Sequence, residues 1–117
     1  MGNQNLILVP PAARTTSGTQ SVPLDVSLMT EMSAFLIVNS ASGTSPSLTV
    51  TLQDSPDGVN WANVYSFPAV TSGSTVLRAG WQDLRFSLGR YLQATWSISG
   101  TTPSFTFSVS VVPTSAE

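Results

Sequence analysis

Leu48, Val50 and Leu52 alternate with Thr49, Thr51 and Gln53. Successive side chains of an extended chain point to opposite faces, so this period of two predicts a half-buried strand. Asp54-Ser55-Pro56-Asp57-Gly58 then stops it. Pro56 presets φ for a tight turn, Asp57 can accept from its own backbone, and Gly58 tolerates the positive φ that follows. Trp61, Val64, Tyr65 and Phe67 supply a returning strand. The stretch Ser47–Phe67 is therefore predicted to be an antiparallel hairpin with an aromatic anchor beyond its turn. Asp54, Asp57 and Gly58 shape the turn in this reading, and Trp61 packs beneath it.

The same alternation recurs downstream. Leu92, Ala94, Trp96 and Ile98 share one phase of YLQATWSI, which makes Trp96 a core candidate. Phe105, Phe107, Val109 and Val111 share one phase of a later strand, after a turn predicted at Ser99–Pro103. Thr75–Arg78 reads as a short strand, Gly80–Phe86 as another or as a bent connection, and Val22–Val26 as an edge strand or a strand start, the places where its proline is tolerated. Met32–Asn39 is apolar on both phases, as in a strand covered on both sides or one whose outer face meets a partner. The segment SASGTSPS after it reads as a loop. About seven to nine short strands, with turn signals every ~8–12 residues and no helical period, predict an all-β antiparallel sandwich, Ig-like or jelly-roll-like.

Residues 1–20 break the pattern. Leu6, Ile7, Leu8 and Val9 form a short β-prone patch, followed by Pro10-Pro11 and a polar run. The prolines oppose ladder bonding and favour an extended backbone. This predicts an extended N-terminal arm, about 65 Å at full reach, that docks Leu6–Val9 on a neighbouring subunit. The predicted organisation is arm 1–20, sandwich 21–112 and polar tail 113–117.

The 117 residues suit a single domain. Charged residues make up 9% and net charge is −2, with no lysine. There is no basic footprint for nucleic acid. No apolar run reaches the ~18–20 residues of a membrane span, and no signal peptide is evident. The polar surface is left to serine, threonine, asparagine and glutamine, which cost less to desolvate than charges. That suits a protein pressed against other proteins.

Candidate chemistry is sparse. There is no histidine and no cysteine, hence no ordinary general base, thiol or His/Cys zinc site. Abundant serines lack a histidine or lysine to activate them. Asp54 and Asp57 are too few and too close for a calcium loop. No cofactor and no enzymatic activity are expected. Trp81, flanked in sequence by Arg78, Arg85 and Arg90, is the aromatic most suited to a binding surface, because tryptophan with arginine is a favoured interface pairing.

Three motifs, SPDGVNW (Ser55–Trp61), LGRYL (Leu88–Leu92) and SGTTPSFTFSV (Ser99–Val109), resemble small cysteine-free β-sandwich proteins encoded among the structural genes of tailed bacteriophages. The resemblance implies a virion component, a capsid decoration (cement) protein on the outer head surface, made in the host cytoplasm. It implies the major capsid protein of the same phage as partner, and a dimer or trimer on shell symmetry axes. Binding the assembled shell but not its loose subunits would stabilise it by mass action. Two alternatives stay open: a tail or head–tail joining protein, and a carbohydrate-binding module for host attachment through Trp61 or Trp81. Discoidin-type sugar-binding jelly rolls carry a similar Ser-x-Asp-Gly-x-x-Trp hairpin.

Overall fold

The computed structural model describes residues 6–19, 24–25, 31–79 and 91–114. These form β1 (Leu6–Arg14), β2 (Gly18–Thr19), β3 (Leu24–Asp25), β4 (Glu31–Ser55), β5 (Ala62–Ser66), β6 (Thr75–Ala79) and β7 (Tyr91–Thr114). All pairings between them are antiparallel, and no described residue is helical. The chain is an all-β, sandwich-like protein.

Two long strands carry the architecture. β4 and β7 pair along their whole lengths, from Glu31 opposite Thr114 to Ser55 opposite Tyr91. A straight strand of 24 residues would run about 80 Å, yet the longest dimension of the molecule is 46 Å. Both strands therefore bend, and they bend together. Their halves fold over each other, as the rings of Trp96 and Phe107 show. These two residues of β7 would sit about 36 Å apart on a straight strand, but their centroids are 5.6 Å apart, edge to face.

The first layer contains β1, the second half of β7, the first half of β4, and β6. The second contains β2 and β3, the first half of β7, the second half of β4, and β5. The core lies between them. Leu36, Val38, Phe105, Phe107 and Val109 from one layer meet Leu48, Val50, Leu52, Leu92 and Ala94 from the other, all at most 1% exposed. Burying each large aliphatic or aromatic side chain contributes about 1.5–3 kcal/mol.

The bend corrects the expectation of separate short strands. SASGTSPS is not a loop, and Ser99–Pro103 does not end a strand. Ser42 pairs with Ser104, Thr44 with Thr101 and Ser47 with Ser99, so the ladder crosses the corner. Gly43 (φ 111°) and Gly100 (φ 123°) turn the backbone, followed by Ser45 and Thr102 (φ 50° each). A Cβ on Gly43 would lie 2.8 Å from the Thr102 carbonyl oxygen, and one on Gly100 would lie 2.8 Å from that of Ser45. The two segments press on each other in mirrored fashion, and the sequence explains why. Ser40–Leu52 (SASGTSPSLTVTL) recurs as Ser97–Val109 (SISGTTPSFTFSV). The chain folds about an internal pseudo-two-fold, with one Ser-Gly-Thr-x-Pro-Ser corner on each long strand.

The N-terminal expectation is also corrected. Leu6–Arg14 is an edge strand of the chain's own sheet, running from Leu6 opposite Val111 to Arg14 opposite Phe105. Leu8 and Val9 are 5% and 1% exposed in the chain's own core. Pro10-Pro11 does not end the ladder, because the register shifts between Val9 and Ala12, and pairing resumes beyond the prolines. A boundary at residue 20 thus does not divide arm from body.

Candidate interaction surfaces

The hairpin turn is closed by its own side chains. Ser55 is fully buried. Its Oγ accepts from the Gly58 amide at 2.8 Å and the Asp57 amide at 3.2 Å, and donates to Asp57 Oδ1 at 3.0 Å. Asp57 Oδ1 also accepts from the amides of Val59 and Asn60, both at 2.9 Å, and Oδ2 accepts from Asn60 Nδ2 at 2.8 Å. These bonds favour the ionised form. Those from Asn60 and Val59 backbone amides lead, and together they hold the carboxyl well below the usual carboxylate range. Asp54 is half-buried at the end of β4, opposite Ala62 and Leu92. No cluster of three or more metal-ligating side chains occurs among the described residues. Trp61 is half-buried just past the turn, and Val59 at the tip is 76% exposed.

Trp96 is half-buried and packs on the core. Its indole N–H donates to the Thr16 carbonyl at 3.1 Å. Arg14 lies over the rings of Trp96 and Phe107, 5.0 and 4.8 Å from their centroids. Its guanidinium donates to the carbonyls of Pro10, Ala12 and Phe107. Partial burial lowers its pKa, though arginine stays charged at any working pH. Arg14 fastens the end of β1 to both layers.

The outer faces of the two layers differ in chemistry. On the second layer, cross-strand rows run Asn63, Gln53 and Gln93, then Ser66, Thr51, Thr95 and Thr19. Exposure falls along the first row, from exposed Asn63 through half-buried Gln53 to Gln93, which is buried. Gln93 Nε2 donates to Gln53 Oε1 at 3.0 Å, and Gln53 Nε2 donates to Asn63 Oδ1 at 2.9 Å. The hydroxyls of Thr51 and Ser66 are bonded at 3.1 Å. This face is hydroxyl- and amide-bearing and uncharged along these rows.

The first layer is apolar on its outside. One row runs Ile7, Ser110, Phe35, Arg78, and the next Ser108, Ile37, Val76. Ile7 is 51% and Val76 64% exposed. Phe35 and Ile37 are half-buried, and Arg78 is exposed. The doubly apolar Met32–Asn39 thus sends Ala34, Leu36 and Val38 into the core and Phe35 and Ile37 outward.

Among the sequence-derived candidates, Ile7 and Arg78 lie at opposite ends of one row, separated by Ser110 and Phe35, while Leu8 and Val9 turn inward. Trp81, Arg85 and Arg90 lie outside the described residues. The sequence reading missed the amide row. Its signal was the polar phase Thr49, Thr51, Gln53 recurring opposite Gln93, Thr95, Ser97.

No family model matches the chain, and no curated protein matches it. Among solved structures, a chain of the Bacillus endospore appendages, described as a novel family of disulfide-linked pili, is similar over 95% of this chain and 90% of its own, with 14% identity and a TM-score of 0.46.

Proposed function

We propose that this protein is a non-enzymatic virion component of a tailed bacteriophage, a decoration protein that docks on the assembled head shell through the outer face of its second layer. The observation that carries this reading is the Asn63–Gln53–Gln93 row with its Thr51–Ser66 neighbour. These side chains already satisfy one another, so covering them removes few bare polar groups from water and no charge. An uncharged, internally hydrogen-bonded face of this kind suits repeated contact with a repeating protein lattice, where many moderate contacts add up. The bacteriophage assignment rests on the resemblance carried by SPDGVNW, LGRYL and SGTTPSFTFSV.

Co-sedimentation of purified protein with purified phage heads tests it. Wild type pellets with heads, and binding is little changed by raising salt, because no ion pair is being screened. Asn63→Lys combined with Ser97→Lys abolishes pelleting while the melting temperature is kept. Equal pelleting of wild type and double variant would refute this docking face. Absence of wild-type binding to heads but binding to tails would assign the protein to the tail or the head–tail joint.

A further inference from the structure

Among the described residues, the large exposed hydrophobic side chains are Ile7, Val59 and Val76. Val59 stands alone at the hairpin tip, beside the exposed carboxylate of Asp57. Ile7 and Val76 stand on the first layer's outer face, in the rows that also present Phe35 and Arg78. One surface is thus an apolar knob next to an anion, and the other an apolar sheet face next to a cation. They complement each other in hydropathy and in charge. They also belong to opposite layers, so the tip of one molecule cannot seat on its own face.

Asp57 retains the means to make such a contact. Its turn uses Oδ1 three times and Oδ2 once. Oδ2, with a single partner in the turn, is the less committed oxygen and the one placed to accept from an arginine N–H.

We infer that copies of this chain associate head to tail, the Val59–Asp57 tip of one molecule seating on the Phe35–Val76–Arg78 part of the first layer's outer face in the next. Such a contact is heterologous: each molecule keeps one tip and one face to offer, so copies add into chains or closed rings. The contact uses different surfaces from the docking face proposed above, so either can fail without the other. A second copy is the stated occupant because the chain itself carries the matching charge. An exposed apolar patch beside one charge, matched elsewhere on the same molecule by an exposed apolar patch beside the opposite charge, favours self-recognition.

Sedimentation velocity over a concentration series tests the inference on the full chain. Wild type sediments faster as concentration rises, and added salt weakens this in part. Val59→Asp spoils the tip and Val76→Asp spoils the face, and each alone stays monomeric. An equimolar mixture of the two forms dimers and stops there, since one intact tip and one intact face remain. Val59→Ser and Val76→Ser, which add no charge, raise the dissociation constant by about tenfold. Melting curves matched to wild type show that the variants fold. A wild type that stays monomeric at every concentration overturns the inference. So does association that survives both aspartate variants, or a mixture that fails to dimerise.

Discussion

Replacing Gly100 by alanine should open the corner on which the two layers fold. At φ 123° an L-residue is forced into a backbone region that glycine alone occupies freely, at about 1–3 kcal/mol. The new Cβ also meets backbone: 2.8 Å to the Ser45 oxygen, and 3.0 Å to both Pro46 Cα and the Thr44 oxygen. None of these atoms can rotate away as a side-chain tip would. Relief requires moving a paired strand, which adds about 1–3 kcal/mol by analogy with overpacked cores. The expected loss is about 2–6 kcal/mol, a large part of the roughly 5–15 kcal/mol that holds a domain of this kind together. Gly43→Ala should cost about as much, because its Cβ meets Thr102, Pro103 and Thr101 in the mirrored arrangement. The double variant should lose less than the sum, since each substitution displaces the segment the other would strike. Urea unfolding followed by tryptophan fluorescence reads all three, with exposed Ser97→Ala as a control within about 0.5 kcal/mol of wild type. Unfolding midpoints of Gly43→Ala and Gly100→Ala that match the control would refute the paired corner. Strict additivity in the double variant would refute the mutual contact.

Other perturbations address other parts of the molecule. Leu8→Ala or Val9→Ala should lower stability by about 2–4 kcal/mol in chemical denaturation; a neutral result would mean these side chains leave the core. Ser55→Ala strands the Asp57 and Gly58 amides and should cost about 1–3 kcal/mol, read as a lower melting temperature. Because Asp57 has a folded pKa below its unfolded value of about 3.9, its stabilising contribution is complete above that value. It is lost as pH falls below about 4 towards the folded pKa. Melting temperature followed from pH 6 downward should therefore drop more steeply in wild type than in Asp57→Asn, and parallel curves would exclude this linkage. Arg14→Lys keeps the charge but loses the planar stack and the fork of donors, so it should destabilise by about 1 kcal/mol. It should also shift Trp96 emission, as a fluorescence spectrum would show.

Much of the fold can be read residue by residue. The alternation of Leu48, Val50 and Leu52, and of Phe105, Phe107 and Val109, places their inner faces directly. The β4–β5 hairpin follows from Ser55-Pro56-Asp57-Gly58, where each residue type has a local physical reason to turn. The corner was illegible to the same logic. Glycine and proline in SGTSPS and SGTTPS are strand breakers taken one at a time, and only their mutual pairing keeps both strands continuous. The duplicated hexapeptide was the available clue. Pro10-Pro11 misled for a related reason: a missing N–H ends a ladder only where the register would have used it, and here the register slips past it. The surfaces were half legible. Phe35 and Ile37 could be flagged as outward by the doubly apolar phase, but the placement of Ile7, Ser110, Phe35 and Arg78 along one row depends on pairings between distant segments.

Cryo-electron microscopy of purified phage particles is the most direct measurement of the proposed role. Density is expected for a β-sandwich of about 46 × 30 × 21 Å repeated over the outer head surface. The Asn63–Gln53–Gln93 face should be turned to the shell and each hairpin tip towards a neighbouring copy. Heads without this density, or the same sandwich with that face turned to solvent, would contradict it.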